Sequence, residues 1–274
     1  MRRGRFTADD RDLRGAEALI QVDHEGPVAV VTVDRPDALN ALDLETLKLL
    51  RDRLQELSQS VEARVVVLTG SGDRAFIAGA DIKYMSGLDV DEAKAWGALG
   101  HETASLLETM HQPTVAAVNG FALGGGCELA LACDLRYASS SAKLGQPEIN
   151  LGIIPGWGGT QRLARATTLG FAKELILTGR TVGADEALER GLVNAVTEPQ
   201  ELMPRVMEVA LQLAAKSPLA LEAAKEAINR AYSGDHRENL ERESDRFGEL
   251  FASEDAKEGL TAFAEKREPR FTGR

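Results

Sequence analysis

The chain has 274 residues, 43% hydrophobic and 27% charged, the balance of a soluble globular protein able to bury a sizeable core. A formal net charge of −11 and a sequence pI near 5.0 repel nucleic acid and anionic lipid, so neither is expected as a partner. Apolar runs break off before the roughly 18 residues that a transmembrane helix needs, and the basic start Met1-Arg2-Arg3-Gly4-Arg5 lacks the apolar stretch of a secretory signal. A cytoplasmic location is therefore expected.

Residues 1–15 alternate Arg and Asp with little to bury and read as a flexible tail. Strands are predicted at Ala18–Val22 and Val28–Val33, with the turn-prone Glu25-Gly26-Pro27 between them. Asp43 has the character of an N-cap, and Leu44, Leu47, Leu50, Leu54 and Leu57 follow at helical spacing to about Val61. Arg64–Thr69 is a short apolar strand closed by Gly70. After a glycine-rich loop come a helix at Asp91–His111, a buried strand at Thr114–Asn119, a short apolar helix at Gly124–Asp134 and a strand at Leu135–Ala138. Helices arrive after pairs of strands in places, which suggests ββα units rather than an open doubly wound sheet. Beyond residue 200 the pattern is all helix, at 201–216, 218–231, 237–252 and 254–266, divided by Pro218, Ser233-Gly234 and Ser253. The expected organisation is a tail at 1–15, a core at 16–200 and a helical region at 201–274, without a linker.

Several chemistries are excluded. Gly70, Gly72 and Ala75 fit G-x-G-x-x-A after a strand, but Phe76–Ala80 reads as continuing loop where a dinucleotide site needs a helix to open. No P-loop and no G-x-S-x-G elbow occurs. His24, His101, His111 and His236 are scattered, so no metal site is expected. Cys127 and Cys133 read as buried thiols in a reducing compartment.

What remains is a cluster of glycine-rich segments carrying two carboxylates. In Gly124-Gly125-Gly126-Cys127-Glu128, three glycines open an apolar helix and let another group approach the backbone, with free N–H groups at the helix's positive end. That geometry suits a developing negative oxygen, although a tight turn with Glu128 as a first-turn acid explains the same segment equally well. Phe76–Lys83 is a loop of small residues able to offer a second N–H. Gly145-Gln146-Pro147-Glu148 puts another carboxylate on a loop, and Gly152–Leu163 is a Gly/Pro loop leading into a helix.

These segments resemble the crotonase (enoyl-CoA hydratase/isomerase) family. The matching residues are Arg35-Pro36 with Ala38–Leu42, Ala78–Lys83, Ala117–Gly120 through Glu128, Gly145–Glu148, Gly156–Arg162 and Phe263–Arg267, over roughly residues 17–271. The resemblance implies an α/β fold, a spiral of ββα repeats, with an α-helical C-terminal region that trimerises, commonly into a hexamer built as a dimer of trimers. It implies catalytic roles for Glu128 and Glu148, as in the hydratases, and an oxyanion hole from the N–H groups of Ala80 and Gly125. Ala78, Asp81, Ile82, Lys83, Gly156, Trp157 and Phe263 fall in segments that bind substrate or coenzyme A; Gly156 matches a position that helps hold the water. Arg74 stands where a basic residue meets the cofactor's phosphates, and Lys266 resembles a lysine that reaches coenzyme A on a neighbouring subunit. Asp37 departs from the family, which often has a basic residue there. The implied activity is hydration of a trans-2-enoyl-CoA in acyl-CoA catabolism such as fatty-acid β-oxidation, with coenzyme A as part of the substrate and no separate cofactor. A double-bond isomerase, another acyl-CoA enzyme of the family, an idle subunit and an RNA-binding homologue are the alternatives. Trp157, Trp96, Met85 and Leu88 are expected to shape the acyl pocket.

Overall fold

The structure, a computed structural model, describes residues 19–274; the expected tail at 1–15 and the start of the first strand at Ala18 lie outside them. Strands come in pairs that part company. The pairs are β1 (Ile20–Glu25) with β2 (Val28–Val33), β3 (Val65–Gly70) with β4 (Ala75–Ile77), β5 (Thr114–Val118) with β6 (Phe121–Leu123), and β7 (Leu135–Ser139) with β8 (Lys143–Gly145). From the second pair on, the first strand joins a six-stranded sheet, β1-β2-β3-β5-β7-β10, and the second a four-stranded sheet, β4-β6-β8-β9. The last two strands are β9 (Thr181–Gly183) and β10 (Ala195–Thr197). This alternation is the expected ββα spiral.

Between strand pairs run α1 (Leu44–Ser58), the short α2 (Ile82–Met85) with α3 (Val90–Thr109), and α4 (Gly125–Ala132). Then come α5 (Gly159–Ala166), α6 (Leu169–Thr178) and α7 (Ala184–Glu189). The large sheet is parallel from β2 through β10 and buried on both faces, as its unbroken Val/Leu runs require. Val66 and Leu68 pack into the core shared with α1, while Val65 and Val67 pack beneath α8 (Leu202–Ala214) through Leu202 and Val206. The helical region continues as α9 (Pro218–Asn229), α10 (His236–Leu250) and α11 (Glu254–Glu265). Among the described residues no helix is long and apolar enough to cross a membrane.

Two expectations need correction. Phe76 and Ile77 are strand, not loop, because β4 is a three-residue strand with glycines on both sides, too short for alternation to register. The first strand extends to Glu25, with Glu25 paired to Val28 across a two-residue turn, so its polar second half belongs to the ladder.

Buried Asn40, with φ of +57°, ties the β3–β4 crossing to the chain before α1. Its Nδ2 donates to the Ser71 and Ala75 carbonyls at 3.0 and 2.8 Å, and its Oδ1 accepts from the Arg35 N–H at 2.9 Å. Asparagine tolerates this left-handed backbone better than most residues. Asn40→Ala is expected to destabilise the protein by about 1–3 kcal/mol, by orphaning buried backbone groups. A lowered urea midpoint would show it.

Candidate active site

The parallel strands β4, β6 and β8 end on one side of the small sheet, and a site segment follows each. Ala78–Asp81 follows β4, Gly124–Glu128 follows β6, and Gln146–Glu148 follows β8. All three contribute to a cavity of about 670 Å³, lined by Ala78, Ala80 and Ile82, by Gly124, Gly125 and Glu128, and by Glu148, Gly156 and Trp157. The strand ends of a parallel array are where α/β folds place ligands.

The three glycines each admit a different neighbour. Gly124, at φ +51°, leaves room for the Glu148 carboxylate, whose Oε1 would lie 2.8 Å from any Cβ. A Cβ on Gly125 would overlap the Trp157 ring, and one on Gly126 the Ile77 carbonyl. The helix they open, α4, is buried along its whole length. Gly125 is its first residue, so its N–H lies outside the helix's own hydrogen-bond ladder.

The second donor is directed by a β-bridge between Leu42 and Ala80. Leu42 N–H donates to Gly79 O at 2.9 Å, and Asp81 N–H donates to Leu42 O at 2.7 Å. These bonds use the peptides flanking Ala80, so its own N–H is left for the opposite edge. Arg35 braces this segment by donating to Ala41 O and pairing with Asp43 at 2.9 Å and Asp81 at 3.7 Å.

Glu128 is 2% exposed. Its Oε1 accepts from the N–H groups of Trp157 and Gly159, both at 2.7 Å. Burial pushes its pKa up, while these two donors and the Arg162 guanidinium pull against that rise. Glu148 is raised to about 7, first by burial and then by the charge of Glu128, against a hydrogen bond from its own backbone. The two acids thus differ in their surroundings: the deeper one is clasped by N–H donors, and the other is poised to carry a proton near neutrality. Cys127 beside them is pushed up to about 12 by burial and is no nucleophile. Among the described residues no group of three or more His, Cys, Asp or Glu could hold a metal ion.

Trp157 is 3% exposed and meets Trp96 edge-on at 5.2 Å, which in turn meets Tyr84 at 5.1 Å. With Ile82, Met85 and Leu88 the two tryptophans make the apolar side of the cavity. Other expected residues stand elsewhere. Asp81 caps α2, accepting from Lys83 and Tyr84 N–H, and Lys83 lies with it in a separate shallow depression. Arg74 is exposed before β4. Phe263 and Lys266 sit at the end of α11, outside this cavity, with Phe263 87% exposed.

Gln146 is a contributor whose role the sequence did not disclose. It is fully buried, and with its amide nitrogen turned toward Glu148 it donates to Oε1 at 3.1 Å and Oε2 at 3.3 Å; the opposite orientation would set oxygen against oxygen. Its side chain also fills the space beside Gly159, whose N–H holds Glu128, so it touches the supports of both acids. A fixed amide between a proline-held acid and a glycine turn was the only available signal.

Comparison with known proteins bears on the family and the fold. Residues 23–274 match the family model described as enoyl-CoA hydratase/isomerase. The chain is 50% identical to the short-chain-enoyl-CoA hydratase of Clostridium acetobutylicum over 246 residues, covering 90% of this chain and 94% of that one. It is 47% identical over 252 residues to the crotonyl-CoA hydratase of Syntrophomonas wolfei, covering 92% and 97%. The crystal structure of enoyl-CoA hydratase from Bacillus anthracis superposes with a TM-score of 0.90 at 41% identity, covering 93% of this chain and all of the other.

Because the charge of Glu128 helps hold Glu148 up, Glu128→Gln is expected to lower the Glu148 titration midpoint from about 7. It should stay above the ordinary carboxylate value, since burial is the larger cause. Infrared titration of the carboxyl band checks both.

Proposed function

The chain belongs to the enoyl-CoA hydratase/isomerase family, and from that premise we propose that it adds water to a trans-2-enoyl-CoA to give a 3-hydroxyacyl-CoA. The observation that carries this reading is the pair of carboxylates, Glu128 and Glu148, lining one cavity with the N–H-bearing residues Ala80 and Gly125. A double-bond isomerase needs only one carboxylate, so the pair favours hydration.

The thioester carbonyl oxygen sits between the Ala80 and Gly125 amides, which take up the charge of the forming enolate; losing one such donor costs about 10²–10³ in rate. Glu128, ionised and held by its two N–H donors, accepts a proton from the attacking water at Cβ. Glu148, protonated over part of its population at neutral pH, delivers a proton to Cα. Gly156, which lines the cavity, helps hold the reacting water in this reading. Coenzyme A enters as part of the substrate. The relatives named for short-chain and crotonyl substrates, with the tryptophan wall of the cavity, support a short acyl group. Assembly as a trimer or hexamer through the helical region, a cytoplasmic location and a place in fatty-acid β-oxidation or related acyl-CoA catabolism complete the reading.

With crotonyl-CoA the absorbance of the conjugated enoyl thioester is expected to fall. Glu128→Gln and Glu148→Gln should each lower kcat by about 10²–10⁴ without lowering the unfolding temperature, since each removes a carboxylate whose charge burial disfavours. Full activity in Glu148→Gln would refute the two-acid mechanism. In a series of enoyl-CoAs, kcat/KM should peak at the shortest chains; a peak at long chains would refute the short-acyl assignment.

A further inference from the structure

The turn that clasps Glu128 is itself held by a side chain with no part in the chemistry above. Arg162, on α5, has a side chain only 10% exposed. Its Nη1 donates to the Trp157 carbonyl at 2.8 Å. Its Nε and Nη2 donate to Glu108 Oε2 at 3.0 and 2.6 Å. Glu108 sits in the last turn of α3, where its backbone carbonyl accepts from Asn229 of α9 at 2.8 Å. Between Trp157 and Gly159 lies Gly158 at φ +103°, where a Cβ would overlap the guanidinium. The chain therefore wraps round Arg162, and the residues on either side of Gly158 each send a backbone N–H to one oxygen of Glu128.

We propose that Arg162 is a positioning residue for hydration: anchored on Glu108, it fixes the Trp157–Gly159 turn so that two amides converge on Glu128. The inference rests on the hydratase reading. The charged groups at issue are few. Glu148 is the like charge near Glu128, and Arg162 lies behind the turn. Around Arg162 stand Glu108 of α3, Arg165 of α5 at 3.9 Å from Glu108, His101 of α3 beside Gly158, and Lys225 of α9 in the adjoining groove. Arg162 is the cation in this set whose charge opposes the effect of burial on Glu128. Its removal should therefore shift the base upward in pH as well as loosen it.

Arg162→Met is expected to lower kcat about tenfold or more with little change in KM, and to move the acidic limb of the kcat–pH profile up by about one unit. Arg162→Lys, which keeps the charge but not the fork, should restore part of both. Independently of turnover, the infrared titration of Glu128, identified by its loss in Glu128→Gln, should rise in Arg162→Met. Leu163→Ala, a cavity on the same helix, should lower the unfolding temperature without moving either titration. An unmoved limb and an unmoved infrared titration would overturn the proposal, as would a Leu163→Ala variant that reproduces the shift. If Arg162→Met does not fold, Arg162→Lys decides alone: a kcat and a limb both identical to wild type overturn the assignment. Failure of the wild type to hydrate crotonyl-CoA, with the infrared shift intact, would sink the hydratase reading while leaving the positioning of Glu128 standing.

Discussion

Burying a carboxylate in an apolar helix is the constraint from which the rest of the site follows. Every residue of α4 is buried, and Glu128 is its lone charged side chain. An ionised group taken out of water costs several kcal/mol, of order, unless donors replace the lost solvent. Here the replacements are two amides at 2.7 Å, the positive end of α4 and a guanidinium behind the turn. Each replacement constrains other residues in turn. The amides need the Gly158 turn, Arg162 holds the turn, and the Trp157 ring can pack where it does only because Gly125 and Gly100 have no side chains. A single buried acid thus accounts for glycines spread over nearly sixty positions.

The topology explains why so many groups reach one place. Each ββα unit after the first sends its second strand into the small sheet, and the residues just past that strand arrive at the same edge. Three units therefore supply three site segments in order: a small-residue loop after β4, a glycine-opened helix after β6 and a proline-held acid after β8. The repeat supplies position, and local sequence supplies chemistry. The Leu42–Ala80 bridge adds a link that the repeat does not provide, drawing the chain before α1 against the β4 loop. This gives the Arg35–Leu42 segment a physical role, since Arg35 and Asn40 lock the strip that orients Ala80.

Much of this was legible in the sequence because burial leaves strong periodic signals. The leucines of α1, the unbroken valines of β3 and the alanine-rich terminal helices all announced their elements, and the glycine run marked a close approach. The short strands β4, β6 and β8 were not legible, since three residues carry no usable alternation and their pairing is non-local. The same limit hid the partners of each glycine. Three adjacent glycines signal that something comes near, but only the folded chain tells that Glu148, Trp157 and Ile77 are the visitors. Gln146 and Arg162 stood inside quoted motifs yet remained mute, because a supporting side chain is defined by what it touches across the fold.

The charge of the chain bears on how the substrate is held. Among the described residues the cavity lining contains no Lys or Arg, and its titratable members are the two acids. An anionic phosphate would be repelled there, so the cavity suits the uncharged acyl and thioester portion alone. Phosphates carried by the same molecule must be met outside it, against a net charge of −11. Arg74 is exposed on the loop before β4 and Lys83 on α2, while Lys266 sits at the end of α11, near Phe263, which is 87% exposed among the described residues. In the oligomer proposed above, burial of Phe263 against a second copy would bring Lys266 with it. Cover for an exposed ring and a countercharge for the substrate would then come from one contact, which joins assembly to binding.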